Sequence, residues 1–522
     1  MKLKLIVFSI VAIVASAAPA SAQYDVLIRG GRVLDGLGNP AVVTSLAIRG
    51  GRIAAIGPLV GATADVVVDA AGLVVSPGFI DPHSHAGGGL VSGELSHARP
   101  LLAQGVTTVV INPDGGGPVD LVQQRRDLVE HGLGVNVAQL VPHGSVRQAV
   151  LGMEDLRPSA AQLDSMVQLT RAGMDAGAFG LSSGLYYAPG SYAATEEVIA
   201  LAQVAAVYSG VYASHIRDEA DYSIGVVAAV DEVIRIAREA DITAVVTHVK
   251  ALGPHVWGES RTIVRQIEEA REEGLRVYAD QYPYEASGTS ISGALIPRWA
   301  QVGGRGALGE RLLNPDTRAR LRADVVANLE RRGGAGRLQF SRHEADPSIE
   351  GRTMEDVARE RGVEPADLVL QLLQMGGAGL VSFNMREDDV ATLMRQPWTM
   401  TSSDGGLTTM GRGVPHPRYY GTFPRKIRKY VREDEVMDLA AAIRSMTSLP
   451  ASVLGMSDRG VIREGAVADL VVFDQDELKD NATYRDPHQF SEGVEYVFLG
   501  GRMAVERGEF AAELYGKVLT RN

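Results

Sequence analysis

The chain has 522 residues, 45% of them hydrophobic, and a mean hydropathy near zero, so it can bury a large core in more than one structural unit. Its net charge of −12, without a long basic cluster, argues against nucleic acid and anionic membranes as partners and favours a small-molecule substrate. There is no cysteine, so disulfides and thiolate ligands are excluded and a metal site must use His, Asp, Glu or a modified Lys.

The N-terminus has the pattern of a cleaved export signal. Met1 to Lys4 is a charged start, Leu5 to Ala18 is an apolar run, and Ala20 to Ala22 is a small-residue cleavage site. A membrane anchor is the alternative, but the run is shorter than the roughly 20 residues that a spanning helix needs. We therefore predict a signal peptide over residues 1–22, export to the periplasm or the medium, and no membrane contact after cleavage.

Short alternating strands with glycine turns follow the signal in residues 23–76, for example in Ser45 to Gly51. The same texture returns near the C-terminus, as in Tyr496 to Arg502. We expect residues 23–76 and 450–522 to pair into one small β-domain.

Between these ends, residues 77–449 alternate strand-like runs with helical patterns, which indicates βα units around a parallel sheet. Eight runs have strand character: Gly78 to His83, Thr107 to Asn112, Asn136 to Val141, Ala178 to Ser182, Val211 to His215, Ile242 to His248, Arg276 to Asp280 and Trp398 to Asp404. A doubly wound sheet is the alternative, but the count favours an α/β fold of the (β/α)8 TIM-barrel type, with its active site at the C-terminal strand ends. The gap before the last run exceeds one βα unit, which predicts a lid or insert within about 287–397.

Histidines end three of these runs. His83 and His85 are two positions apart, so their side chains point to one face of a strand and can hold one cation; a solvated loop pair is the alternative. His215 and His248 end the fifth and sixth runs 33 residues apart, about one βα repeat. Adjacent strands would bring both to the same barrel mouth, and the four histidines together predict a metal site.

Asp404 closes the eighth run in front of two glycines. A carboxylate at this position can bind a metal and accept a proton from water, although a turn or helix N-cap aspartate is the common alternative. Because the eighth strand of a barrel closes beside the first, we predict that Asp404 lies next to His83 and His85.

Further stretches accompany the Phe79-Ile80-Asp81-x-His83-x-His85 motif from about Tyr24 to the C-terminus. They are Gly105 to Val110, Gly177 to Gly190, Ser214 to Arg217, Thr247 to Lys250, Asp280 to Tyr284, His416 to Arg425 and Met446 to Ala451. With them, the chain resembles the amidohydrolase superfamily and, more narrowly, the N-acyl-D-amino-acid deacylases, also called D-aminoacylases.

The resemblance implies a metal-dependent hydrolase that cleaves the amide bond of N-acyl amino acids, the D-enantiomers in particular. It implies one or two Zn²⁺ ions as cofactors. The implied metal ligands are His83, His85, His215, His248 and Asp404, with Asp404 also acting as general base.

The resemblance also implies that Lys250, Tyr282 and Arg418 hold a free carboxylate of the substrate, and we add Tyr284 as a candidate. Arginine binds a carboxylate with a planar fork, while Lys and Tyr add donors. A surface ion pair is the alternative for Arg418, and core packing is the alternative for both tyrosines. His143, at the end of the third run, is a candidate for a substrate contact or for support of a ligand, with simple packing as the alternative.

One departure from the family concerns Asp114. The family has a metal-binding Cys shortly after its Thr-Thr-Val-Val stretch, whereas this chain has Asn112-Pro113-Asp114 and three glycines. We predict that Asp114 binds one metal or bridges two, and a turn residue is the alternative. A carboxylate is a harder ligand than a thiolate, which leaves the metal number open. The fourth run, Ala178 to Ser182, has no Lys, so a carboxylated Lys is not expected.

Fold and metal ligands determine hydrolysis but not the leaving group, so a dipeptidase or a cyclic amide or lactone hydrolase stays open. A carboxylate clamp disfavours neutral lactones. A catalytically silent barrel that acts as a binding protein is the alternative from another class, and the complete set of four histidines and Asp404 argues against it. A homo-oligomer is also left open.

Overall fold

The computed structural model describes residues 23–521, so the predicted signal peptide lies outside the described residues. Within this range, no helix is long and apolar enough to cross a membrane. The strands are β1 (Tyr24–Val33), β2 (Val42–Arg49), β3 (Arg52–Gly57), β4 (Ala64–Asp69), β5 (Val74–Pro77), β6 (Phe79–Asp81), β7 (Val106–Ile111), β8 (Asn136–Gln139), β9 (Val141–Pro142), β10 (Gly180–Gly184), β11 (Val211–His215), β12 (Thr243–Val246), β13 (Val277–Gln281), β14 (Ser287–Ser290), β15 (Leu338–Arg342), β16 (Gly379–Ser382), β17 (Thr399–Thr401), β18 (Leu470–Phe473), β19 (Val494–Leu499), β20 (Arg502–Glu506) and β21 (Glu509–Phe510).

The α-helices are α1 (Gly87–Leu90), α2 (Arg99–Leu102), α3 (Leu121–Glu130), α4 (His143–Leu151), α5 (Ala160–Asp175), α6 (Thr195–Val207), α7 (Val226–Ala240), α8 (Ser260–Glu272), α9 (Ile291–Leu295), α10 (Arg298–Gln301), α11 (Gly304–Leu313), α12 (Pro315–Arg331), α13 (Met354–Arg361), α14 (Pro365–Gln374), α15 (Glu387–Met394), α16 (Arg418–Arg425), α17 (Leu439–Met446) and α18 (Ser448–Leu454). A π-helical segment, Lys426–Glu433, continues α16. Short 3₁₀ turns lie at Gly190–Tyr192, Pro254–Val256, Ala335–Arg337 and Pro347–Ile349.

The two chain ends form one sheet, as predicted. Its order is β21-β20-β19-β18-β5-β1-β2-β3, with β4 paired to β1. The antiparallel pair of β18 with β5 joins the ends, with Leu470 opposite Pro77. Residues 450–454 differ from the predicted division, because they belong to α18, whose Leu449 and Leu454 pack with the barrel residues Ile80 and Met400.

The predicted (β/α)8 barrel is confirmed. Its strands are β6, β7, β8 with β9, β10, β11, β12, β13 and β17, and all their pairings are parallel. The third strand is interrupted at Leu140, which separates β8 from β9. The first and eighth strands are joined by the Asp404 amide, which donates to the His83 carbonyl at 3.0 Å, and by the His85 amide, which donates to the Gly405 carbonyl at 2.8 Å.

The predicted insert between the seventh and eighth strands is an antiparallel sheet, β14-β16-β15, surrounded by α9 to α14. It has its own apolar core, which includes Leu321, Phe340 and Leu368. Local signals define its helices: the Asn314 side chain caps α12 in front of Pro315, because it accepts from two backbone amides of the first turn. After the insert, Leu393 of α15 packs into the main barrel core and returns the chain to the barrel.

Candidate metal centre and active site

The six predicted ligands come together at the C-terminal ends of the barrel strands. Four imidazole nitrogens surround the Asp114 carboxylate: His83 Nε2 at 3.3 Å, His85 Nε2 at 3.4 Å, His248 Nε2 at 3.4 Å and His215 Nδ1 at 3.7 Å. Asp404 Oδ1 lies 3.1 Å from His85 Nε2 and 3.6 Å from His83 Nε2, as its place on the eighth strand predicts.

These side chains form two groups that share Asp114. One group is His83, His85, Asp114 and Asp404, and the other is Asp114, His215 and His248; within each, the donor atoms lie within 4.8 Å of one another. Asp114 therefore lies where a carboxylate can bridge two cations.

The donor atoms fit a metal. His83 Nε2 and Asp114 Oδ1 are buried and have no hydrogen-bond partner among the described residues. Buried polar atoms are rarely left unpaired, and a cation satisfies a nitrogen and a carboxylate lone pair at once. His215 Nδ1 and His248 Nε2 lie 2.8 Å apart, so both can point at one ion.

The charges at the site favour cations. Burial disfavours the Asp114 carboxylate anion, yet the surrounding His83, His215 and His248 hold the pKa of this carboxyl well below its usual range. Burial also opposes protonation of His85, but Asp114 and Asp404 raise its pKa to about 9. The site thus draws positive charge toward its carboxylates, and a metal ion would supply it in place of protons.

Three of the predicted ligands have left-handed backbone conformations. The φ angles are 55° at Asp114, 36° at His248 and 48° at Asp404. Such conformations cost about 1–3 kcal/mol each in a non-glycine residue and cluster at functional sites. Close packing holds the Asp114 loop in place, since a Cβ at Gly184 would overlap the Asp114 carbonyl oxygen.

Two buried aspartates, Asp81 and Asp280, hold the ligand-bearing strand ends, a role that the sequence alone did not reveal. Asp81 accepts from the backbone amides of His83 at 3.3 Å and Ser403 at 2.9 Å, which ties the first strand to the eighth. Asp280 accepts from the His248 amide at 2.8 Å and from Ser402 Oγ at 2.6 Å. Position was the available signal, since Asp81 lies two residues before His83.

A cavity of about 1130 Å³ is lined by five of the six predicted ligands, all except His83, and by residues of both the barrel and the insert. Arg418 is buried in its wall, with Nη1 2.8 Å from Asp404 Oδ2 and the guanidinium carbon 4.8 Å from the centre of the Tyr282 ring. Lys250 Nζ lies 5.6 Å from the centre of the same ring. The cavity wall thus contains all three predicted carboxylate-binding residues, Lys250, Tyr282 and Arg418.

His143 and Tyr284 are not among the residues that line this cavity, so the structure does not bring them together with the other predicted substrate-binding residues. His143 is fully buried, and its Nε2 lies 3.0 Å from Glu197 Oε1. Tyr284 packs edge-on against His416, with 5.0 Å between ring centres, and under Arg425. Tyr284 is therefore placed as a packing side chain, whereas His143 is part of a buried polar pair with Glu197.

Two cavity residues, Tyr187 and Glu219, were missed from the sequence. The Tyr187 ring lies 4.6 Å from the His215 ring, and its hydroxyl lies 3.2 Å from Thr289 Oγ1 of the insert. Glu219, four residues after His215, is buried with Oε1 2.5 Å from Lys250 Nζ. Burial disfavours its anion, but Lys250 and the two nearby histidines hold the pKa of Glu219 below its usual range.

Comparison with known proteins places this site in a family. The model of the amidohydrolase family matches residues 66–505. The chain belongs to the amidohydrolase family. Among curated amidohydrolase relatives, N-acyl-D-glutamate deacylase of Alcaligenes xylosoxydans xylosoxydans is 35% identical over 92% of this chain and 93% of its own length. D-aminoacylase of the same organism is 34% identical over 96% of this chain and 98% of its own length.

A solved amidohydrolase structure is similar throughout. N-acyl-D-glutamate deacylase from Bordetella bronchiseptica, complexed with zinc and a phosphonate inhibitor that mimics the tetrahedral intermediate, superposes with a TM-score of 0.81 at 33% identity. The match covers 95% of this chain and 99% of that protein. The confirmed fold, with a barrel, a two-ended β-domain and an insert, is thus that of the deacylases within the family.

Proposed function

We propose that this protein is a zinc-dependent deacylase that hydrolyses the amide bond of N-acyl-D-amino acids to a carboxylate and a free D-amino acid. The family assignment makes it a hydrolase of amide bonds. The named relatives act on N-acylated D-amino acids, which supports the substrate class for this chain.

One observation carries the substrate assignment: Arg418 has unused donors in the cavity wall. Its Nε and Nη1 atoms are buried without a hydrogen-bond partner in the described part of the chain, since the contact with Asp404 is an ion pair with poor hydrogen-bond geometry. A buried donor left unpaired costs about 1–3 kcal/mol. A carboxylate in the cavity would supply an acceptor for the unpaired guanidinium, which favours an amino-acid substrate over a neutral amide or lactone.

The metal residues would be His83, His85, Asp114, His215, His248 and Asp404, and bound zinc would supply Lewis acidity and an activated water. Asp404, whose Oδ1 lies 3.1 Å from His85 Nε2, would act as general base toward the attacking water and would later deliver the proton to the leaving amine. Arg418 and Lys250 would orient the substrate by its carboxylate. The insert would exclude water, because β14 and β16 line the cavity with Thr289 and Gly379.

The decisive experiment is a hydrolysis screen on one zinc-analysed sample of the mature chain. The substrates are N-acetyl-D- and N-acetyl-L-forms of Glu, Asp and Leu together with matched dipeptides. We expect activity on the D-forms and bound zinc. Activity on L-forms or dipeptides alone would refute the D-deacylase assignment, and zinc-free protein with full activity would refute the metal assignment.

We also propose that residues 1–22 direct export of the protein, on the strength of the charged start, the apolar run and the Ala20–Ala22 site. The test is expression of the full chain in a bacterial host, followed by fractionation and N-terminal sequencing. A mature N-terminus at Gln23 in the exported fraction is the expected result. An uncleaved chain that remains in the cytosol would refute the proposal.

A further inference from the structure

Glu219 lies behind two of the proposed metal ligands. Its Oε1 atom is 3.1 Å from His248 Nδ1, and its Oε2 atom is 3.8 Å from His215 Nε2. The other nitrogens of the two rings, His248 Nε2 and His215 Nδ1, face Asp114 at 3.4 and 3.7 Å. Each imidazole ring therefore lies between the Asp114 carboxylate and the Glu219 carboxylate.

The position of Glu219 determines which ring nitrogen of His248 can carry the proton. A neutral imidazole has one N–H and one lone pair, and a metal ligand must present the lone pair to the ion. For His248 the proton must then be on Nδ1, where Glu219 Oε1 can accept it. A carboxylate behind a metal-binding histidine fixes the ring and increases its basicity.

Lys250 would impose the opposite tautomer if it acted alone. Its Nζ lies 2.8 Å from His248 Nδ1, and an ammonium that donated to this nitrogen would leave the proton on Nε2, pointing at the metal site. Lys250 Nζ also lies 2.5 Å from Glu219 Oε1, so the carboxylate gives the ammonium a better acceptor. Lys250 in turn compensates the charge of Glu219, which is only 6% exposed.

We propose that Glu219 is a positioning residue of the metal centre: paired with Lys250, it keeps the proton of His248 on Nδ1 and orients His248 toward Asp114. This inference rests on the proposed zinc site. It gives Lys250 a role beyond holding substrate, and it does not make Glu219 a metal ligand.

The test compares Glu219→Gln with a matched control, Glu232→Gln. Glu232 is also a buried carboxylate, and its Oε1 atom lies 2.7 Å from Arg217 Nη2. It belongs to neither of the two groups of proposed ligands. Zinc affinity is measured by competition with a chromophoric chelator, and the ligand geometry by the visible spectrum of the Co²⁺-substituted protein.

We expect Glu219→Gln to weaken the binding of one ion by about 10–100-fold and to change the cobalt spectrum. Glu219→Asp, which keeps the charge, should recover part of the affinity, and Glu232→Gln should leave both readouts unchanged. Zinc affinity within threefold of wild type in Glu219→Gln, or an equal loss in Glu232→Gln, overturns the proposal.

Failure of the Glu219 proposal can be distinguished from failure of the deacylase assignment. Wild-type protein that binds zinc but hydrolyses no N-acyl amino acid would refute the deacylase assignment and leave the affinity comparison valid. Wild-type protein that binds no zinc would overturn both proposals. If Glu219→Gln does not fold, unchanged zinc affinity and spectrum in Glu219→Asp together with Glu219→Ala overturn the positioning role.

Discussion

The two sides of the barrel mouth use the same pair of charges in different ways. On the eighth-strand side, Asp404 and Arg418 lie 2.8 Å apart, and both line the cavity. On the sixth-strand side, Glu219 and Lys250 lie 2.5 Å apart, and the carboxylate is directed at the outward nitrogen of a proposed ligand. Asp114, between the two sides, is within 4 Å of histidines but of no Lys or Arg among the described residues.

The difference indicates that Asp404 takes part in the reaction, whereas Glu219 supports a metal ligand. Both carboxylates line the cavity, but only Asp404 belongs to a group of proposed metal ligands, whereas Glu219 is directed at the outer nitrogen of His248 and can orient that ring. The arginine beside the first carboxylate has unused donors for a substrate, whereas the lysine beside the second is engaged by Glu219 and His248. Four substitutions probe this contrast, ordered by the size of the expected effect.

Asp404→Asn removes the proposed base from the eighth-strand side and should give the largest loss. We expect kcat to fall by about 10²–10⁴-fold, the usual contribution of a positioned general acid or base. Steady-state hydrolysis of an N-acetyl-D-amino acid measures it. Asp388→Asn, an exposed carboxylate, is the control and should keep full activity. Activity within threefold of wild type in Asp404→Asn would exclude this base.

Asp114→Ala removes the carboxylate shared by both sides. Loss of a shared ligand should weaken zinc binding by more than the roughly 10–100-fold that follows loss of a supporting partner. Asp114→Cys should restore the binding of one ion, because a thiolate is a preferred zinc ligand. We expect the thiolate to complete one of the two ligand groups and not to bridge both. Metal analysis after dialysis measures the stoichiometry. Equal zinc content in wild type and Asp114→Ala would contradict the bridging position.

Arg418→Ala tests the substrate function of the eighth-strand pair. Loss of a charge-assisted bond to the substrate carboxylate, worth about 1.5–3 kcal/mol, should raise KM by roughly 10–100-fold. Arg412→Ala is the matched control, since Arg412 also lines the cavity but is largely exposed. Initial rates over a substrate series give both constants. An unchanged KM in Arg418→Ala would assign the carboxylate to other residues.

Lys426→Met should change stability and not activity. Lys426 is a buried lysine near the eighth strand that, unlike Lys250, has hydroxyl partners, Thr401 and Ser445, instead of a carboxylate. Burial lowers its pKa to about 7, below the ordinary value of 10.5. Between these two pH values the unfolded chain binds more protons than the folded one, so the wild-type free energy of unfolding should rise with pH.

Removal of this buried ammonium should therefore stabilise the protein at pH 7 by on the order of 1–3 kcal/mol, with a smaller gain near pH 10. Urea unfolding at several pH values measures the difference. Lys429→Met, in the same π-helical segment but paired with Asp434, should keep the wild-type slope. A Lys426→Met protein that is no more stable than wild type at pH 7 would contradict the expectation.

Much of the site could be predicted because a barrel converts sequence position into spatial position. Each βα repeat ends at one mouth, so His215 at the end of β11 and His248 just after β12 had to meet, and the predicted bounds Val211 to His215 agree with β11. Asp404 followed from the closure of the eighth strand on the first. The domain border predicted at residue 450 falls inside α18, because the sequence of a short apolar helix does not indicate which of two cores it packs against.

The sequence by itself thus determined the fold class, the convergence of four histidines and Asp404, and the presence of an insert, since hydrophobic periodicity and strand ends encode them locally; Asp114 was predicted from the family resemblance. Only the tertiary structure decided which residues near the predicted ligands line the cavity or contact a ligand. Tyr282 lines the cavity, whereas Tyr284, two residues later, does not and packs against His416. Glu219 and Lys250 are 31 residues apart, and their contact exists only once β11 and β12 pair side by side.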